Sequence, residues 1–145
     1  MKVDFWQLSR DPPERVVALI ASRICADNKR LLIVSYDADQ RAAIGAGLWE
    51  HSPEEFLANG QAGEPHADRQ PILISGNCEA LNNADQVIFA DGRWRDEAAG
   101  FARSFLLFGD SAIEDARACW RSLDGKDDHE RSFYRQDQGK WTKVA

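Results

Sequence analysis

Apolar and polar positions along the chain switch repeatedly between two periods. Val3-Asp4-Phe5-Trp6-Gln7-Leu8 alternates, as a half-buried strand does. Val17, Ile20, Ala21 and Ile24 then recur at the i, i+3, i+4, i+7 spacing of a buried helix face. Asp11 stands where an N-cap would, Pro12 at the first helical position and Glu14 three residues after the cap, a capping-box arrangement. Asp27-Asn28 is positioned to end that helix. Leu31-Leu32-Ile33-Val34 is a continuous apolar run, as expected of a central strand covered on both faces. A second helix is predicted from about Asp39 to Trp49, with Ile44 and Leu48 one turn apart. Gly45 and Gly47 inside it each cost about 1 kcal/mol relative to alanine, a cost that close packing against a sheet would explain, as would a weak or bent helix. Ser52, Pro53 and Glu55 repeat the cap pattern and predict a short third helical turn.

Residues 58–70 read as a polar, glycine-containing loop. Pro71-Ile72-Leu73-Ile74, Gln86-Val87-Ile88-Phe89 and Phe105-Leu106-Leu107-Phe108 read as further strands, with a short helix around Asp96–Arg103. Ser111 is placed to cap a last helix with Glu114 at its third position and an apolar stripe of Ile113, Ala116, Trp120 and Leu123. The tail suggests a terminal hairpin around Asp137-Gln138-Gly139. Strands alternating with helices predict an α/β sandwich with a mostly parallel sheet and helices on both faces. About five core strands and an irregular C-terminal extension are expected.

Composition narrows the function. The 145 residues fit a single domain, 1–145. A formal net charge of −6 disfavours broad binding to a phosphate backbone. No apolar run approaches the ~20 residues needed to span a bilayer, and the first residues lack the features of a signal peptide, so a cytoplasmic protein is expected. Cys25, Cys78 and Cys119 are far apart, with no CxxC pair, and read as free thiols. The loop after the first strand, Ser9-Arg10-Asp11-Pro12-Pro13, has no glycine, and its prolines remove amide donors that a phosphate would need. Asp37 and Asp39 follow the second strand, where they could hold a divalent ion or cap a helix. His51, His66 and His129 are scattered; His66 beside Glu64 and Asp68 is the best of a weak set for a metal. Neither a catalytic residue nor a cofactor is expected, and the rival reading is a Rossmann-like nucleotide-binding enzyme of unknown substrate.

The stretch Leu48-Trp49, Ser52-Pro53-Glu54-Glu55-Phe56 and Ala62-Gly63-Glu64 sets two large aromatics beside a polar loop with no catalytic group nearby. Such a pair suits protein binding, though Trp49 and Phe56 could equally pack on their own sheet. At these residues the chain resembles the chi subunit of the bacterial DNA polymerase III holoenzyme. The resemblance extends to the Phe5-Trp6 strand, Arg30–Ile33, Pro71–Ile74, the late helix Glu114–Arg121, and the Tyr134-Arg135-Gln136 and Gly139-Lys140-Trp141 ending.

That resemblance implies a Rossmann-like, non-enzymatic adaptor, an accessory subunit of the clamp-loader complex in DNA replication. It implies two partners: the acidic C-terminal tail of single-stranded DNA-binding protein, and the psi subunit or a helicase. DNA would be reached only indirectly. Arg117, Trp120 and Arg121 match the tail-binding helix; Trp49 and Phe56 match the psi or helicase surface. Arg117 and Arg121 are four apart and so share a helix face, and two guanidinium groups suit a peptide ending in a carboxylate. The bland alternative makes Trp120 a core residue and leaves the arginines solvated or paired with Asp115 or Glu114. Where the family carries a basic residue one turn before Arg117, this chain has Ile113, which implies a smaller basic patch.

Overall fold

The computed structural model describes residues 1–9, 11–51, 57–124, 130–137 and 140–145. Eight strands form one sheet in the order β3-β4-β2-β5-β6-β1-β7-β8. They are β1 (Lys2–Gln7), β2 (Leu31–Val34), β3 (Asn59–Gln61), β4 (Ile72–Ser75), β5 (Gln86–Phe89), β6 (Arg103–Phe108), β7 (Glu130–Asp137) and β8 (Lys140–Lys143). Every described pairing is parallel except β7 with β8. Helices α1 (Pro13–Ala26) and α2 (Ala38–His51) cover one face; α3 (Ile113–Ser122) and a 3₁₀ turn, Asp96–Gly100, cover the other.

The two-residue period of a strand decides which side chain serves which layer. Leu31 and Ile33 of β2, with Ile72 and Ile74 of β4, join Val17, Ile20, Ile24, Ile44 and Leu48 on the α1–α2 side. Leu32, Val34 and Leu73 face the opposite way, toward Phe89, Leu106, Phe108, Ala116, Cys119 and Leu123. The central strands are buried on both faces, which is why their sequence is continuously apolar. The expected three-layer α/β sandwich is the observed one.

Several local readings change. The α1 helix begins at Pro13, with Pro12 at the N-cap and no side-chain cap. Asp11 is drawn off by the tail: Gln136 Nε2 donates to Asp11 Oδ2 at 2.8 Å, and the Asp11 N–H donates to Gln136 Oε1 at 3.1 Å. Ser111 does not cap α3 either, because it lies inside a 3₁₀ turn, Asp110–Ala112, that precedes the helix. The loop expected over 58–70 contains β3, a short edge strand beside β4. The short helix expected to reach Arg103 ends at Gly100; Arg103 opens β6, where its Nε donates to the buried Asp4 Oδ2 at 3.0 Å.

The α2 helix runs unbroken through both glycines. A Cβ on Gly45 would lie 3.4 Å from Gln61 Nε2 and 3.7 Å from Ile74 Cδ1, so this glycine brings the helix close to the sheet edge. Gly47 faces Glu14 of α1 instead. The helical turn predicted at Ser52–Glu55 lies outside the described residues.

The C-terminal segment is not irregular. It is a hairpin that extends the sheet, with β7 parallel to β1 and Phe5 opposite Phe133. Tyr134 and Trp141 pack on Trp6 at 5.0 and 4.7 Å between ring centres, on the α1 side. Phe133 packs on the α3 side, 5.7 Å from Phe108.

Candidate functional site

Helix α3 follows β6 across Gly109 and the 3₁₀ turn, and lies against the sheet through Ala116, Cys119 and Leu123. Residues four apart share a helix face, so Arg117 and Arg121 stand one turn apart, both exposed. Trp120 sits at the boundary, half-buried. Its ring meets Phe5 edge-on at 5.2 Å and Phe133 at 5.9 Å. The Arg131 guanidinium lies over the indole, 4.3 Å from its centre, and Arg131 Nη1 donates to the Trp120 carbonyl at 2.6 Å. Arg131 Nη2 reaches Asp124 Oδ1 at 3.1 Å. Three side chains, Phe5, Phe133 and Arg131, therefore hold the indole in one orientation.

Arg117, Trp120 and Arg121 line a single open cavity of about 280 Å³, together with Phe133, Val144 and Ala145. The structure thus brings together the three α3 residues singled out by sequence. Arg117 Nη1 is paired with Glu114 Oε1 at 3.1 Å, with side chains 57% and 79% exposed, so the pair is wet and weak. Arg121 forms no ion pair with any described residue. Trp120 packs against Phe5 and Phe133 and also borders the cavity. An apolar floor with a cationic rim can hold an apolar side chain beside a negative charge.

Phe133, Val144, Ala145 and the positioning residue Arg131 were not marked as site residues by sequence reasoning. The hairpin that carries Phe133 and Arg131 was visible as strands and a turn. Its place next to β1, and hence next to α3, is set by the parallel β1–β7 pairing, which no local pattern reports.

Trp49 lies on α2, across the sheet from α3, and its side chain is 54% exposed. Phe56 lies outside the described residues. The structure therefore leaves Trp49 as a surface indole and does not place its proposed companion.

The carboxyl ends of the strands are where a doubly wound sheet would hold a nucleotide. Here the cleft, about 520 Å³, is lined by Glu14, Asp37, Asp39 and Asp91, with Tyr36 and Arg93. Asp37 Oδ1 accepts the N–H groups of Asp39 at 2.9 Å and Gln40 at 3.3 Å, so it caps α2. Asp91 is held by Arg95 through two bonds of 2.8 and 2.9 Å and by the Tyr36 N–H at 2.9 Å. Burial pushes the Asp91 carboxyl up, but the hydrogen bonds from Arg95, Tyr36 and Arg93 and the Arg95 charge outweigh it and hold the group below its ordinary value. A ring of carboxylates has the wrong sign for a phosphate.

His66 adopts a left-handed backbone, φ 65°, before the 3₁₀ turn Ala67–Arg69, and His51 ends α2. His129 lies outside the described residues, among which no group of three His, Cys, Asp or Glu could hold a metal ion. No disulfide joins Cys25, Cys78 or Cys119. Burial pushes the Cys119 thiol up to about 11, with the Asp96 charge adding and a Ser122 hydrogen bond opposing. Cys78 is likewise raised to about 11 by burial, the Glu97 charge adding and the Arg95 charge opposing. Both stay protonated at neutral pH and are poor nucleophiles. No helix among the described residues is long and apolar enough to cross a membrane.

Comparison with known proteins agrees with this layout. A protein from Rickettsia prowazekii (strain Madrid E), named as a probable DNA polymerase III subunit chi, is 28% identical over 61 residues. That similarity covers 42% of this chain and only 37% of the relative's length. The family model described as DNA polymerase III chi subunit, HolC, matches residues 1–128, from β1 through α3. With most of its sheet and the whole arginine-bearing helix inside that match, the chain belongs to the DNA polymerase III chi subunit family.

Proposed function

We propose that this protein is a non-catalytic accessory subunit of the clamp-loader complex. In this reading it ties the replication machinery to single-stranded DNA-binding protein by holding that protein's acidic C-terminal tail at α3. The convergence of Arg117, Arg121 and Trp120 on one cavity carries the reading. The guanidinium groups supply charge-assisted bonds to the peptide's carboxylates, and the indole supplies an apolar wall. The mechanism is tethering: a weak contact to many identical tails raises local concentration without a covalent step. A net charge of −6 favours an indirect route to DNA through the coating protein.

A second contact, to the psi subunit or a helicase, is assigned to the surface around Trp49 and Phe56. The exposure of Trp49 supports it, since exposed indoles are frequent interface anchors. Its place across the sheet from α3 lets both partners bind at once.

Calorimetric titration with an acidic peptide ending in a free carboxylate tests the first contact. Replacing either arginine, Arg117→Ala or Arg121→Ala, removes a charge-assisted bond of about 1.5–3 kcal/mol and should weaken binding roughly tenfold or more. The peptide lacking its last two residues should bind poorly to the unmodified protein. Unchanged curves for both variants would overturn the assignment.

A further inference from the structure

The sheet ends at β8, which pairs with β7 on one side and with no described strand on the other. The Val144 N–H donates to the Phe133 carbonyl at 2.7 Å, so it points into the hairpin. Backbone direction alternates along an antiparallel pair. Thr142, opposite Arg135, and Lys140, opposite Asp137, therefore point inward too, while the N–H and C=O groups of Trp141 and Lys143 point out from the sheet. This edge is held in place. Trp141 packs on Trp6 at 4.7 Å, and Gln136, opposite Trp141, is anchored by Ser9 Oγ at 3.1 Å and by Asp11 at 2.8 Å. Lys140, Thr142 and Lys143 are exposed, and Lys143 has no ion pair with a described residue.

We propose that the free edge of β8 takes the acidic stretch of the bound tail as an added parallel strand. This rests on the assignment of α3 as a peptide-tail site. Val144 and Ala145, which line the α3 cavity, follow directly on β8. A peptide whose terminal carboxylate is held by the α3 arginines therefore leaves the cavity beside Lys143 and runs back toward Lys140. Its chain direction then matches that of β8. A free edge offers main-chain hydrogen bonds to an extended segment of any sequence; charge selects an acidic one here. Two copies of this chain meeting edge to edge would set their lysines against one another. A run of carboxylates meets the same lysines with the opposite sign. Because the edge is already fixed, only the peptide has to be ordered on binding. Asp137 stands opposite Lys140 in the register, so Lys143 carries the test.

Amide hydrogen exchange is measured on the protein alone and saturated with an acidic peptide of about eight residues, long enough to span β8 beyond the cavity. Binding should slow exchange at Trp141 and Lys143 by about tenfold or more and leave Thr142, already bonded within the hairpin, unchanged. Peptides N-methylated at alternate residues of the acidic stretch should lose about tenfold in affinity in one register and less than about twofold in the other. Lys143→Glu should weaken the full peptide about two- to fivefold and leave unchanged a peptide cut back to its terminal few residues, while Lys143→Arg should bind as the unmodified protein does. A thermal melt confirms that each variant is folded. Exchange at Trp141 and Lys143 that bound peptide does not slow, equal affinities for the two methylated registers, or unchanged binding in Lys143→Glu overturns the added strand and leaves the arginine site standing. Slow exchange at both amides in the free protein, deepening with protein concentration, gives the edge to a second copy and overturns it as well. If the unmodified protein binds neither the full nor the shortened peptide, the α3 reading fails, and this inference with it.

Discussion

Replacing Glu114 by glutamine should strengthen the binding of an acidic peptide. Glu114 holds Arg117 through one bond of 3.1 Å, and both side chains are largely exposed. A pair of this kind contributes no more than about 1 kcal/mol, but an incoming carboxylate must compete with it for the same guanidinium. Glu114→Gln removes the competitor and a like charge one turn from the cavity. Releasing roughly 0.5–1 kcal/mol corresponds to a two- to fivefold tighter Kd. Fluorescence anisotropy with a labelled peptide measures this directly. The gain should be clear at ~0.05 M salt and nearly gone at ~0.5 M, where screening is strong. In an Arg117→Ala background the same substitution should change Kd by less than about twofold, because the two residues act on one another. An unchanged or weaker Kd in Glu114→Gln would refute the reasoning, as would an equal gain in the Arg117→Ala background. Either result would mean that Arg117 does not receive the peptide.

Asp91→Asn should destabilise the fold by about 3 kcal/mol at neutral pH, because the nearly buried Arg95 loses the carboxylate that holds it at 2.8 Å. Asp91 titrates below its ordinary value of 3.8 in the folded protein. Its contribution is therefore complete above that value and is lost as pH falls through the lower folded one; urea melts should show the gap between the two proteins closing only under strongly acid conditions, and a gap independent of pH would count against the pairing. Trp49→Ala, at an exposed site, should shift stability by no more than about 0.5 kcal/mol yet weaken capture of psi or a helicase by an order of magnitude or more; equal capture would remove Trp49 from that interface. Cys119, with its thiol raised to about 11, should resist alkylation at mildly alkaline pH until the protein unfolds, and rapid labelling in the folded state would contradict its burial.

The layered fold was legible because its signals are local. The period of α1, the apolar run of β2 and the alternation of β1 each appear within a few residues, and each element lies where its pattern put it. The misreadings share a different cause. Asp11 has the chemistry of a cap, but Gln136, 125 residues away, holds both its side chain and its N–H. Asn59-Gly60-Gln61 carries no apolar signal and is a strand only because the edge of β4 offers it a ladder. Arg103 was assigned to a helix because its bond to the buried Asp4 cannot be inferred from neighbours in sequence. The site divides in the same way. Arg117, Trp120 and Arg121 come from the family resemblance, with helical spacing placing the two arginines on one face, whereas Phe133, Val144 and Ala145 enter the cavity only through the pairing of β7 with β1.

Chemical-shift mapping of the isotopically labelled protein against an acidic peptide with a free carboxylate end tests the central claim most directly. Saturating peptide should move the indole resonance of Trp120, the side-chain resonances of Arg117 and Arg121, and the amides of Phe133 and Val144, leaving the carboxylate-lined cleft around Tyr36 and Asp91 unmoved. Shifts gathered at that cleft or around Trp49, with α3 silent, would contradict it.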